Sequence, residues 1–114
     1  MLRRLFACLV LALGLTLMGC SQTDAPQAVT IDVTIAGGQV TPNGTTVDVA
    51  KGGTVTVNVT SDSADEVHVH GVDKELAVKP GVPATMTFTV DQGGVFEMES
   101  HELDKLIVKI AVRS

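Results

Sequence analysis

The chain has 114 residues, 45% of them hydrophobic, carries a formal net charge of −5 and contains no Trp or Tyr. That length limits it to one domain. The acidic balance argues against nucleic acid and against charge-driven adhesion to anionic lipid, and the scarcity of aromatic rings removes the stacking platforms that sugar and single-strand binding use.

In chain order, residues 1–19 read as an export signal. Arg3 and Arg4 give a positive start, and Leu5 to Met18 is an apolar run, short for a membrane span and without a charged stop-transfer segment after it. The run ends in Leu17-Met18-Gly19-Cys20, which resembles the lipobox of bacterial lipoprotein precursors. The resemblance implies that Cys20 is acylated, as by palmitate, and becomes the mature N-terminus. The alternative is an ordinary signal peptide cut near Gly19, which would leave a free exported protein. Cys8 lies inside the apolar run, so Cys20 is the only cysteine beyond the signal; no disulfide and no thiolate are available to the folded part. An exported domain of this size must then be held by its core and its sheet hydrogen bonds. Residues 20–28 form the lipidated cysteine and a polar tether, Ser21 to Gln27, and residues 29–114 the domain. From Cys20 onward, 6 basic residues face 13 acidic ones, a net charge of −7.

The domain reads as a series of short strands. Val29, Ile31, Val33 and Ile35 alternate with polar residues until Gly37-Gly38 breaks the pattern. Val47-Asp48-Val49 follows the Pro42-Asn43-Gly44 turn. Thr54 to Thr60 alternates valine with polar residues after Lys51-Gly52-Gly53. Asp65 to Gly71 comes next, then Glu75 to Lys79, ended by Pro80-Gly81. Thr85 to Val90, Gly94 to Ser100 and Leu106 to Val112 complete the set. Seven to nine strands with frequent turn signals, and no helical stretch beyond the signal, predict an all-β protein, an antiparallel β-sandwich with an aliphatic core that includes Phe88 and Phe96.

Within Asp65-Glu66-Val67-His68-Val69-His70-Gly71, strand alternation puts His68 and His70 on one face, about 6.5 Å apart at the backbone, with Val67 and Val69 on the other. In Gly94 to Ser100, Phe96 and Met98 alternate with Glu97 and Glu99. If the apolar pair faces the core, His101 shares the outward parity of the glutamates. Pairing these two strands would gather His68, His70, His101 and Glu99 on one surface. His-x-His on one face lets two neutral imidazoles converge on one ion, and imidazole suits Cu(II), Zn(II) and Ni(II). Glu99 and Glu66 are candidates for an oxygen ligand or an acceptor that orients an imidazole. The competing reading is a solvated strand face for His68, His70 and the glutamates, and a loop histidine for His101. No Ser-His-Asp or Cys-His arrangement and no phosphate-binding loop is indicated, so the chain is not expected to be an enzyme.

The order of these parts, from the Val29–Ile35 strand through Lys51-Gly52-Gly53-Thr54-Val55, Glu66-Val67-His68-Val69-His70-Gly71 and Pro80-Gly81 to Gly94-Val95-Phe96-Glu97, resembles the cupredoxin-like domains. It is most similar to the small exported ones akin to the cupredoxin-like domain of bacterial ferrous-iron uptake lipoproteins. The resemblance implies a Greek-key sandwich with a metal site at one end, where blue copper members use a Cys…His…Met run. That run would begin here at Ser100, so the thiolate is missing, and no methionine follows before the last strand. Together these readings predict a lipoprotein tethered to a bacterial membrane and facing outside the cytoplasm. It binds a transition metal, copper foremost, through His68, His70 and His101, and is not a blue-copper electron carrier. The rival is a metal-free sandwich that serves as an interaction or envelope module.

Overall fold

In the computed structural model, residues 24–113 are described; residues 1–19, read above as an export signal, Cys20 and the front of the expected tether lie outside them. Nine strands follow in order: β1 (Ala28–Ala36), β2 (Gln39–Thr41), β3 (Thr45–Ala50), β4 (Gly53–Ser61), β5 (Asp65–Val69), β6 (Lys74–Val78), β7 (Ala84–Val90), β8 (Gly94–Ser100) and β9 (Lys105–Arg113). They form a sandwich of a four-stranded sheet, ordered β2-β1-β4-β7, and a five-stranded sheet, ordered β3-β9-β8-β5-β6.

Alternation builds the core as the sequence pattern predicts. Ile31, Val33 and Ile35 of β1, Val55, Val57 and Val59 of β4, and Phe88 and Val90 of β7 point inward from one sheet. Val67 and Val69 of β5, Met98 of β8, and Ile110 and Val112 of β9 meet them from the other. Phe96 is only partly buried and packs against the edge of this cluster. With period-2 alternation, every inward residue fixes an outward neighbour. The outer face of the four-stranded sheet is polar, with threonines on β1, β4 and β7 and a chain of side-chain bonds running Thr85 to Asn58 to Asp32. No histidine lies on that face; His68 is on β5 of the opposite sheet, and His70 and His101 directly follow β5 and β8.

Three features depart from the simple alternating picture. Two of the strand pairs, β1–β4 and β3–β9, are parallel, whereas the pattern predicts an antiparallel sandwich; the other five are antiparallel. Parallel neighbours arise because the chain crosses to the other sheet and back between them, and strand direction leaves no mark on alternation. Strand β2 is absent from the sequence reading because one inward residue, Val40, between two polar ones makes no recognisable run. Finally, β9 carries an extra residue: Met98 pairs with Val108 and Glu99 with Leu106, so Ile107 bulges and both Ile107 and Val108 turn inward. At the N-terminal side, the Pro26 and Gln27 carbonyls accept from Ala50 N and Thr54 N, both at 2.8 Å, so the end of the tether is stitched into the sheet.

Among the described residues, Phe88 is the one aromatic ring that is fully part of the core. Phe88→Ala is expected to destabilise the domain by about 3 to 5 kcal/mol in urea unfolding. A loss below about 1 kcal/mol would contradict the packing of β7 described here.

Candidate metal centre

The antiparallel register of β5 with β8 pairs Val67 with Ser100, His68 with Glu99 and Val69 with Met98. Directly opposed residues share a face, so Val67, Val69, Met98 and Ser100 all point inward while His68 and Glu99 point out. The ladder continues at both ends: His70 N donates to Glu97 O and His101 N to Glu66 O, each at 2.9 Å. On the other side of β5, Glu75 of β6 lies opposite His68. The outer face therefore has three successive rungs: His70 with Glu97, then Glu75 with His68 and Glu99, then Glu66 with His101.

On this face the rings of His68 and His70 are 4.3 Å apart between centroids and tilted by 50°. His70 Nε2 is 3.2 Å from Glu99 Oε2, and His68 Nε2 is 3.7 Å from Glu75 Oε1. The His68 and Glu99 side chains are about three-tenths exposed and that of His70 half exposed, so all are open to an ion from solvent. His101 has the predicted outward parity but sits two rungs from His70, about 13 Å at the backbone. The three imidazoles are not gathered around one point. Among the described residues no group of three or more His, Cys, Asp or Glu side chains is placed so that it could hold one metal ion. Gly71 ends the histidine strand with φ +91, and a Cβ there would sit 2.5 Å from Phe96 Cδ1. A turn of this shape under that ring requires glycine.

Sequence alternation alone misses two participants. Glu75 is found only by working out the β5–β6 hairpin register, in which Val69 pairs with Lys74 and so His68 with Glu75. The second is Asp65, which is buried beside Ser100 at the end of the β5–β8 pair. Ser100 Oγ donates to Asp65 Oδ2 at 2.5 Å and accepts from Leu103 N at 3.2 Å. Asp65 Oδ1 accepts from Glu66 N at 2.7 Å and from Glu102 N at 3.1 Å. A buried carboxylate is tolerated because both oxygens are hydrogen-bonded. The network pins the Ser100–Lys105 turn to the start of β5. Ser100 occupies the position that the resemblance gives to a copper thiolate, and its hydroxyl is committed to this network. A type 1 centre, which needs Cys with two His, does not fit here. Met98 is fully buried in the core and offers no sulfur to the surface.

The cupredoxin-like domain family model matches residues 9–107. No curated protein sequence matches the chain. Solved structures with a similar fold include a copper-binding protein determined in its apo form by NMR, at 16% identity and a TM-score of 0.59, over 79% of this chain and 92% of that one. A chain of a heme-copper terminal oxidase dimer aligns at 21% identity and a TM-score of 0.58, over 74% of this chain and 64% of that one. The copper nitrite reductase from Nitrosomonas europaea aligns at 20% identity and a TM-score of 0.57, over 75% of this chain and 41% of that one. The chain thus spans less than two thirds of the two larger proteins, and at these identities the likeness is one of fold.

The buried network makes its own prediction. Ser100→Ala removes a donor to a buried carboxylate and the acceptor for Leu103 N. The expected cost is about 1 to 3 kcal/mol in urea unfolding. A variant as stable as the parent would mean that the Asp65 carboxylate does not depend on Ser100.

Proposed function

The chain belongs to the family of cupredoxin-like domains, and we propose that it is an exported, membrane-tethered member that binds a transition metal, copper foremost, and handles it outside the cytoplasm. The observation that supports this reading is the pair His68 and His70: two imidazoles on one strand, rings 4.3 Å apart, on a solvent-facing surface with carboxylates beside them. Neutral imidazole is a common ligand for Cu(II) and Zn(II). A rigid sheet holds the two backbone positions at fixed spacing, which limits the ordering that accompanies binding. The protein binds and passes on an ion rather than catalysing a reaction, and it does not carry electrons through a blue copper centre. Its cysteine-terminated leader supports export and lipid attachment at Cys20, with the domain in the cell envelope of a bacterium.

A second reading keeps the same fold without metal. Its support is that His70 and His68 already contact Glu99 and Glu75, as exposed polar pairs on an ordinary strand face do. The sandwich would then be an interaction or envelope module.

Two experiments test the proposal. The protein is expected to bind Cu(II) with a weak nitrogen/oxygen spectrum and without an intense blue charge-transfer band, and His68→Ala/His70→Ala is expected to abolish specific binding. Equal affinity in the double variant favours the metal-free module, and a blue band contradicts the assignment of Ser100. In detergent phase partitioning the protein is expected in the detergent phase and Cys20→Ser in the aqueous phase; a fully aqueous parent would remove the tether.

A further inference from the structure

We infer that the ion on this face is a divalent cation whose third protein ligand is the carboxylate of Glu99, with His68 and His70, and that His101 takes no part. This rests on the histidine pair proposed above and specifies its ligand set and the oxidation state it selects. Glu99 is placed between the two histidines: its backbone is directly opposite His68 in the β5–β8 ladder, and its Oε2 reaches diagonally to His70 Nε2 at 3.2 Å. Two donors that each lie about 2.0 to 2.2 Å from one ion, at angles between 90° and tetrahedral, are about 2.9 to 3.5 Å apart. The His70–Glu99 separation falls within that range, so an ion can bind both donors with little movement of either group.

His68 completes the set by a side-chain rotation. Its Nε2 faces Glu75 at 3.7 Å, too long for a strong hydrogen bond, so little is lost when the ring turns across the strand toward Glu99. That ring already lies 4.3 Å from that of His70. His101 is on the Glu66 rung, one step from His68 but two steps, about 13 Å at the backbone, from His70, so it is too far along the ladder to share an ion with His70 and Glu99. The chemistry of the set then decides the oxidation state. Two imidazoles and a carboxylate form a nitrogen/oxygen site suited to Cu(II) or Zn(II), whereas Cu(I) prefers thiolate and thioether sulfur. Of the described methionines, Met98 is sealed in the core. Met86 is partly buried against the core from the opposite sheet, and neither can reach this face.

The test uses the full chain purified in detergent, with Cu(II) and, separately, chelator-buffered Cu(I) as probes. Glu99→Gln keeps size and hydrogen bonding but removes the charge. Because loss of even an outer-shell partner of a metal ligand lowers affinity by about 10- to 100-fold, Glu99→Gln is expected to weaken Cu(II) binding at least tenfold. It should also change the hyperfine coupling in the electron paramagnetic resonance spectrum while leaving Cu(I) binding unaltered. His101→Ala is expected to change neither. If Glu99→Gln binds Cu(II) like the parent while His68→Ala/His70→Ala does not bind, the Glu99 assignment is overturned and the histidine pair stands. A loss in His101→Ala equal to that in Glu99→Gln overturns the exclusion of His101. Tighter binding of Cu(I) than of Cu(II) overturns the divalent assignment. Undiminished binding in the double histidine variant would instead remove the metal-binding reading itself.

Discussion

The antiparallel pairing of β5 with β8 is the constraint on which both the core and the candidate site depend. A shift of one residue in that register would turn either Val67 and Val69 or Met98 to solvent and bury imidazoles or glutamates in their place. Burying three large apolar side chains on this short ladder is worth several kcal/mol, of the order of 1.5 to 3 for each. The register that satisfies the core is therefore strongly preferred. Opposition of His68 to Glu99 follows without any further interaction being needed. The site geometry is a by-product of packing, which is why its residues can be exposed and yet fixed in relative position.

The end of the same ladder is closed by hydrogen bonds within the protein. Asp65 and Ser100 form a closed buried network at the strand end. A carboxylate with four lone-pair directions is expensive to bury unless backbone N–H and hydroxyl donors meet it, and here Glu66 N, Glu102 N and Ser100 Oγ do so. Among the described residues no buried side-chain polar atom lacks a partner. A network of this kind is structural. It fixes the turn from Ser100 to Lys105 and leaves no group free to take up an ion at the position where the family resemblance would place one.

Much of the fold was legible because its strands obey a strict two-residue period. Val55, Val57 and Val59 of β4 against Thr54, Thr56 and Asn58 make the inward face plain, and the same reading correctly sends Phe88 and Met98 inside. Strand direction was not legible, since the parallel β1–β4 and β3–β9 pairs have the same alternation as antiparallel ones. The bulge at Ile107 was hidden for a related reason: in an unbroken apolar run, Leu106-Ile107-Val108, no polar residue marks where the period slips. For the site, parity placed His68, His70, Glu99 and His101 on one surface. It did not say how far along that surface each one sits. That distance is set by the pairing of Val67 with Ser100, which is long-range information and separates His101 from His70 by two rungs.

The central claim is that one ion is held on the outer face of the β5–β8 ladder, and its most direct test is a Cu(II) titration of the isotopically labelled protein followed by amide NMR. The account predicts that substoichiometric Cu(II) first broadens the signals of residues 66–70 and 97–100 and of Glu75. Those of the four-stranded sheet, which lies across the core, should remain sharp. Broadening that begins elsewhere, or that spreads evenly over the acidic surface without a saturating equivalent, would contradict it.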